Sequence, residues 1–367
     1  MRIALSIERF EPGLGGVESA AHHLACELAL RGCDLTVFCR ADSGAAPPSI
    51  RRVHCAVPTF WQPLRVAWFS HATRRAVASS PPFDIVHAFS RTRRQHIYRA
   101  GGGSHAAYLE RSGPAGLGRW SPRHRAILGI EEAVFRDPAQ IIQCNSKLAA
   151  REIATRYDVP AERLVTIYNG VDTVRFDPGN REALRQKLMP ELTSRYALRG
   201  PIALFVGSGF ERKGLTSAID GLAAGSARAH LLVAGRGATA SYAARAERLG
   251  VADRVHFLGQ RGDVEALHAV SDLMVLPTRY DSFANACFEA MASGLPVATT
   301  ASNGVAELLD HGRSGLVCDG DFAPAFSRLD DLDGLRELGA AARVTALAHT
   351  WSQHADEVIA LYERFSR

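Results

Sequence analysis

The sequence has no run of about 18 apolar residues, so nothing in it reads as a membrane-spanning helix. Its apolar opening, Met1–Ile7, stops at Glu8, Arg9 and Glu11. That is too short for an export signal and reads as a first buried strand. No Cys-x-x-Cys pair occurs. The cysteines Cys26, Cys33, Cys39, Cys55, Cys144, Cys287 and Cys318 are odd in number and scattered, which suggests neither a disulfide framework nor a zinc ribbon. Reduced core thiols in the cytoplasm are the expectation. Lysine is nearly absent: Lys147, Lys187 and Lys213 are the only ones, and every other basic residue is Arg. There is no P-loop, and no GxGxxG follows a strand with an acidic residue about 20 positions on, which opposes an NAD-dependent dehydrogenase. None of the usual nucleic-acid-binding motifs is present.

What is present fits a soluble two-domain chain. The 367 residues are 47% hydrophobic and 22% charged, and about 150 residues per domain predicts two domains. Charge is uneven. Residues 1–170 hold 22 Lys and Arg against 14 Asp and Glu, a surplus of eight; residues 171–367 hold 21 against 24. The basic front half suits an anionic partner such as a phosphorylated lipid or a membrane surface.

Hydrophobic periodicity gives the architecture. Residues 2–7 read as a strand and residues 11–16 (EPGLGG) as a Gly-rich loop. Ala21, Leu24, Leu28 and Ala29 then recur at helical spacing, Gly32 stops the helix, and LTVFC (35–39) is the next strand. Further strands are predicted at 85–88, 97–99, 141–144 and 165–167. The pattern restarts at IALFVGS (202–208) and alternates through strands at 230–235, 255–259, 273–277 and 296–300. Helices fall near 215–224, 241–249, 263–269 and 284–293. This is α/β: two doubly wound arrays of parallel strands, 1–169 and 170–351, separated by a linker near 169–198. A last helix, 352–365, carries Val358, Leu361, Tyr362 and Phe365 on one face. In such sheets ligands sit at the carboxyl ends of the strands.

Three segments at such ends carry polar groups suited to an anionic sugar. The first is Gly207–Gly214 (GSGFERKG). Arg212 and Lys213 suit a diphosphate, one as a two-pronged donor and the other as a point charge; a solvated Arg-Lys turn has the same appearance. The second is the stretch from Asp281 to Glu289. Asp281 falls in a loop and Glu289 within a helix, and the backbone N–H groups of Phe283, Ala284 and Asn285 are expected to face an anion. A carboxylate in the helix can hold both hydroxyls of a ribose, and one in the loop can hold hexose hydroxyls; a cap at Asp281 and a buried paired Glu289 are the plain alternatives. The third is Arg99–His105 (RAGGGSH), where three glycines allow close backbone approach, or simply a loop. Gly15 and Gly16, at the head of the first helix, are a weaker candidate of the same kind.

Taken together, VGSGFERKG, the Asp281-x7-Glu289 stretch ending FEAMASGLPVATT, the linker YNGVDTVRFDP and the early GGVE resemble the retaining glycosyltransferases of family 4 over nearly the whole chain. Within that family they look most like the lipopolysaccharide core glucosyltransferase I group. The resemblance implies a GT-B fold: two Rossmann-like domains, the second holding a nucleotide-sugar donor, with the last helix returning to the first. Arg212 and Lys213 would match the pair that neutralises the departing diphosphate, and Glu289 the carboxylate on the ribose. Asp281 stands where the family usually has Glu against the donor hexose, which leaves the sugar open. Ser282, Phe283, Ala284 and Asn285 would lend backbone amides. Gly15 and Gly16 would admit donor and acceptor, and His105 would match a histidine near the reacting sugar.

No metal or other cofactor is implied. DDLD (330–333) reads as a solvated acidic patch rather than a metal motif. The expected activity is hexosyl transfer, with glucose first, from a UDP-sugar to a lipopolysaccharide core or related glycolipid, on the inner face of the cytoplasmic membrane. Two stretches bear on membrane contact: Trp61, Arg65, Trp68, Phe69, Arg74 and Arg75, and then Arg111, Arg119, Trp120, Arg123, His124 and Arg125. Interleaved aromatic and basic residues suit a lipid interface; a core helix and a solvated Arg loop are the alternative. Mannosyl or N-acetylglucosaminyl transfer is a neighbouring activity. A non-catalytic two-lobed sugar-binding protein is a reading of another class, and it gives no reason for Arg212 and Lys213.

Overall fold

Short apolar runs alternating with helical stretches build two parallel sheets. The computed structural model describes residues 1–44, 46–58, 60–112 and 121–365. The chain divides into one unit of Met1–Gly170 with Trp351–Arg367, and a second of Val171–Thr350.

The first unit contains β1 (Arg2–Ser6), β2 (Arg9–Phe10), β3 (Asp34–Cys39), β4 (Ala41–Asp42), β5 (Arg51–His54), β6 (Ile85–Ala88), β7 (Ile97–Ala100), β8 (Ile141–Cys144) and β9 (Leu164–Thr166). Seven of these form one sheet in the order β5-β3-β1-β6-β7-β8-β9, and β2 pairs with β4. Its helices are α1 (Gly16–Leu30), α2 (Gln62–Ala78), α3 (His105–Ser112), α4 (Pro122–Phe135) and α5 (Lys147–Tyr157). Ile3 and Leu5 of β1 meet Leu24 and Leu28 of α1 on one face. On another, Tyr98 and Ile142 meet Ile130, Val134 and Ile153. Edge strand β5, RRVH, is mostly exposed. Its charges protect an unpaired edge, and that polarity hides it from an apolar scan.

The second unit contains β10 (Ile202–Val206), β11 (His230–Ala234), β12 (Val255–Gly259), β13 (Leu273–Leu276), β14 (Val297–Thr299) and β15 (Leu316–Val317), in the order β12-β11-β10-β13-β14-β15. Leu204, Leu231, Met274 and Val297 are fully buried, as strands covered on both faces require. Around the sheet lie α6 (Arg181–Tyr196), α7 (Phe210–Lys213), α8 (Leu215–Gly225), α9 (Ala240–Arg248), α10 (Val264–Val270), α11 (Asn285–Ala292), α12 (Ala323–Ser327) and α13 (Leu332–Leu347). Helix α6 occupies most of what reads as linker. Pro190 inside it breaks the sequence signal, yet Leu188 and Leu192 are buried.

Helix α14 (Trp351–Glu363) belongs to the first unit and buries Val358, Leu361 and Tyr362 against the α1 core. Each such side chain contributes about 1.5–3 kcal/mol on burial. Arg31 ties the same helices together through Asp356 at 2.8 Å and the Ser352 hydroxyl at 2.9 Å. The helix ends before Phe365, which is exposed rather than part of the apolar face. No described helix is long and apolar enough to cross a membrane.

Strand order places the sites. The chain leaves β10 on one side through β11 and returns on the other at β13, so a switch point lies at the carboxyl ends of β10 and β13. The first unit has its own between β1 and β6. Arg212 follows β10 and Asp281 follows β13; Gly15 follows β1, and His105 stands just beyond β7.

Candidate active site

In the second unit a single helical turn, α7, follows β10 between Gly209 and Gly214, both with φ in the left-handed region at +75° and +79°. A Cβ at Gly214 would lie 1.9 Å from the carbonyl oxygen of Pro277, so only glycine allows this approach. The turn is thereby stitched to the end of β13: Thr278 and Arg279 both donate to the carbonyl of Arg212, at 3.1 and 2.9 Å. Arg212 Nη1 in turn donates to the carbonyl of Tyr280 at 2.9 Å and to Asp281 Oδ2 at 3.1 Å. Lys213 Nζ reaches the same Oδ2 at 2.5 Å. The other oxygen, Oδ1, accepts from the Phe283 N–H at 3.2 Å. The structure therefore brings Arg212, Lys213 and Asp281 together, and Asp281 both pairs and caps. Burial pushes its carboxyl up, but Lys213 and then Arg212 overcome this and hold it below the ordinary carboxylate range. Two cations facing one anion leave a net positive charge at the switch point.

The helix start differs from the expectation of free amides. The Phe283 N–H is held by Asp281, and the Ala284 N–H donates to Asn303 Oδ1 at 3.1 Å. Asn303 is fully buried, caps Val305 at 3.2 Å and reaches Thr299 Oγ1 at 3.0 Å. Nothing in the sequence marks its bond to Ala284, which joins residues 19 apart that only the folded chain brings together. Ser282 is buried beside these residues, and Asn285 opens α11.

Glu289 lies on α11, half-buried, and its carboxylate has no hydrogen bond or ion pair among the described residues. Burial raises its carboxyl to about 7; Arg175 pulls down, while Glu265 and Asp172 push up. Arg175 is itself committed to Glu265 at 2.6 Å. Glu289 is thus an open acceptor, not the paired carboxylate of the alternative reading.

In the first unit Gly15 is the extended N-cap of α1 and Gly16 its first residue. The glycine run has structural duties. Gly103 has φ +66°, and a Cβ on Gly101 would collide with the guanidinium of Arg99. Arg99 is fully buried, with Nη2 donating to Asn169 Oδ1 at 2.5 Å and the group 5.2 Å from the centre of the Phe89 ring. His105 starts α3. Its ring is buried, with Nε2 2.9 Å from His124 Nδ1 and the plane stacked on Tyr108. Burial, then Arg91, His124 and Arg123, lower its pKa to about 3, so the imidazole is neutral at physiological pH.

Sequence reasoning missed Glu131, which holds this segment in place. It is buried and accepts from Ser104 Oγ at 3.0 Å, the N–H groups of His105 and Ala106 at 2.7 and 3.3 Å, and Tyr157 Oη at 2.5 Å. A signal was available: Glu131 shares the apolar face of α4 with Ile127, Val134 and Phe135.

The aromatic and basic stretches divide. Trp61 and Trp68 are exposed, Phe69 is core, and Arg65 pairs with Glu8 at 2.8 Å. Arg111 pairs with Glu152 at 2.5 Å. Arg123 and Arg125 are exposed at the start of α4, whereas Arg119 and Trp120 lie outside the described residues. In the acidic patch Asp330 pairs with Arg228, Asp331 caps α13 and Asp333 pairs with Arg336. One described group has metal-ligand types: Cys39, Asp42 and His54, with ligand atoms within 4.8 Å of one another. There Asp42 is already bound to His54 at 2.7 Å.

Two doubly wound parallel units, one with a cation pair at its switch point and an open carboxylate on the next helix, define the class: a GT-B glycosyltransferase. Residues 14–175 match the profile described as Glycosyltransferase Family 4, and residues 200–329 that described as Glycosyl transferases group 1. The chain belongs to these glycosyltransferases. It is 27% identical over 365 residues to lipopolysaccharide glucosyltransferase WaaG of Escherichia coli, covering 97% of this chain and 93% of that one. The crystal structure of WaaG superposes with a TM-score of 0.81 at 23% identity, covering 97% and 98%. A D-inositol 3-phosphate glycosyltransferase of Mycolicibacterium smegmatis is 26% identical, covering 96% and 88%. Anabaena HepE, solved in complex with UDP and glucose, matches in fold with a TM-score of 0.73 at 19% identity, covering 99% and 100%.

Proposed function

We propose that the protein is a retaining hexosyltransferase that moves glucose from UDP-glucose to a lipopolysaccharide core or related glycolipid, working peripherally at the inner face of the cytoplasmic membrane. The observation that carries this reading is the pair of cations sharing Asp281 at the switch point, together with an unpaired Glu289 on the helix that follows. A departing nucleoside diphosphate develops negative charge on the oxygen it takes from the sugar. Arg212 and Lys213 are fixed where that charge grows, and donors held in place before reaction stabilise it without reorganisation. Asp281 holds both cations until the donor arrives and then offers its carboxylate to hexose hydroxyls. Glu289 accepts from the ribose hydroxyls. His105, neutral and held by its backbone, lies at the acceptor side. Departure and attack on one face of the sugar, with a diphosphate oxygen taking the acceptor proton, need no carboxylate nucleophile. The two cations do the work a divalent metal does in other transferases, so turnover proceeds without one.

Support for a glycolipid acceptor comes from the similarity to WaaG, from the basic first half and from exposed Trp61 and Trp68. The test is isothermal binding and slow hydrolysis with UDP-glucose, UDP-galactose, UDP-N-acetylglucosamine and GDP-mannose. Preferential binding of UDP-glucose with release of UDP is expected. Preference for GDP-mannose or UDP-N-acetylglucosamine moves the activity to a neighbouring one, and failure to bind any of them overturns the reading. Turnover in excess EDTA should equal that in its absence; loss restored by added metal would overturn the metal-free account.

A further inference from the structure

A cavity of about 520 Å³ opens in the first unit between α2, α4 and the connection from β6 to β7. Arg74, Arg93 and Arg94 line it together with His71, Asp137 and Gln140. The three arginines are exposed, and none forms an ion pair among the described residues. Two are braced: Arg93 Nη2 donates to the carbonyl of Gly129 at 3.1 Å, and Arg74 Nη2 lies 3.3 Å from His71 Nδ1. The single carboxylate on the wall, Asp137, is turned to cap Ala139 at 3.0 Å.

Arg94 is also strained. Its φ is +64°, one of three non-glycine residues with positive φ among the described residues. Such a conformation is strained for a residue with a Cβ and persists where the surroundings impose it, often at a binding site. Glycine would relieve the strain, but an arginine stands there. Three like charges around one cavity also repel one another, a cost that a bound multivalent anion offsets. The cavity lies toward the amino ends of β7 and β8, because Arg94 precedes β7 and Gln140 immediately precedes β8. The glycine run and His105 follow the carboxyl end of β7. The cavity is therefore not part of the site at the carboxyl edge.

We propose that this cavity is a second anion site that binds a phosphomonoester or diphosphate group, with Arg74 and Arg94 as its principal ligands and Arg93 and His71 beside them. Guanidinium groups match phosphate oxygens in pairs. An anionic lipid headgroup and the phosphate of a phosphorylated sugar present the same chemistry; only the choice between these sources rests on the glycolipid reading. Exposed Trp68 has its ring 6.3 Å from that of His71, a residue of the cavity wall.

The probe is inorganic pyrophosphate, titrated calorimetrically into the full chain with UDP at saturation, so that any diphosphate site at Arg212 and Lys213 is filled. The Lys213→Ala chain serves as a second background and keeps the test valid if UDP does not bind. One pyrophosphate site is expected in both. Its affinity should fall at least about tenfold in Arg74→Glu and in Arg94→Gly, as loss of a charged hydrogen-bond partner predicts. Arg94→Gly should at the same time keep or raise thermal stability, which a merely structural arginine would not do. Absence of pyrophosphate binding in both backgrounds, or unchanged affinity in both variants, overturns the proposal. Flotation with phosphatidylcholine vesicles, and with an equimolar mixture containing phosphatidylglycerol, then separates the sources. Loss of binding to the anionic vesicles in the two variants assigns the site to a lipid headgroup. Wild-type vesicle binding with lost pyrophosphate binding assigns it to a sugar or free phosphate. Donor hydrolysis in detergent should be the same in both variants as in the parent chain.

Discussion

The two units place polar groups at the carboxyl edges of similar sheets by opposite electrostatic means. In the second unit two cations converge on Asp281, and Glu289 stays unpaired at the cost of a raised pKa. In the first unit buried Glu131 is surrounded by four donors, and the His105 beside it is kept neutral. The charged arrangement is poised for a ligand that brings charge of its own. The donor-saturated one is complete without a ligand and fixes backbone. Under the proposed function, the contrast would give chemistry on the leaving group to the second unit and positioning to the first.

The largest effect should come from the charged side. Lys213→Ala removes the shorter of the two cation contacts on Asp281 and, under the proposed function, the point charge that meets the developing diphosphate. Turnover should fall on the order of 10²–10³-fold, while the first unit unfolds as before; a parent-like kcat would erase the distinction. Glu131→Ala tests the other side. It leaves the N–H groups of His105 and Ala106 and two hydroxyls without their acceptor, and unsatisfied buried donors cost about 1–3 kcal/mol each before relaxation. Denaturant unfolding should show the first unit losing about 2–4 kcal/mol, with UDP affinity unchanged. If Glu131→Ala weakened UDP binding as much as Lys213→Ala does, the two units would not divide the work this way. Glu131→Gln sharpens the point: it keeps the volume but turns an amide toward donors, so most of the loss should remain.

The same contrast explains what the sequence reveals. The meeting of Arg212, Lys213 and Asp281 is legible because charged residues at the ends of two adjacent strands are easily seen in sequence, and Glu289 falls in the helix expected for it. The parallel sheets are legible because β1, β3, β10, β11 and β13 are short apolar runs. Glu131 escaped because a carboxylate on the apolar face of α4 takes its meaning only once Ser104 and Tyr157 are folded onto it. Asn303 escaped for the same reason, and with it the occupied amide of Ala284. Helix α6 was hidden by Pro190 and strand β5 by its arginines. Arg74 and Arg94 are separated by twenty positions, and only α2 and the β6–β7 connection bring them to one cavity.

The smallest effect concerns the open carboxylate and reads out against pH. Glu289 has its pKa raised from 4.5 to about 7, so its ionisation opposes folding. Its contribution to stability is complete below the unfolded value and is lost as pH rises from 4.5 through 7. Glu289→Gln removes that loss. The variant should match the parent near pH 4.5 and be more stable by about 1–3 kcal/mol above neutrality. Binding should run the other way. Ribose hydroxyls donate best to the ionised carboxylate, so parent affinity for UDP should rise from about pH 6 to pH 8 relative to the variant. The ratio of the two affinities cancels the titration of UDP itself. A variant stabilised at neutral pH with a flat affinity ratio would leave Glu289 a strained carboxylate without a ribose partner. A ratio that climbs while stability gains ties the raised pKa to the binding it serves.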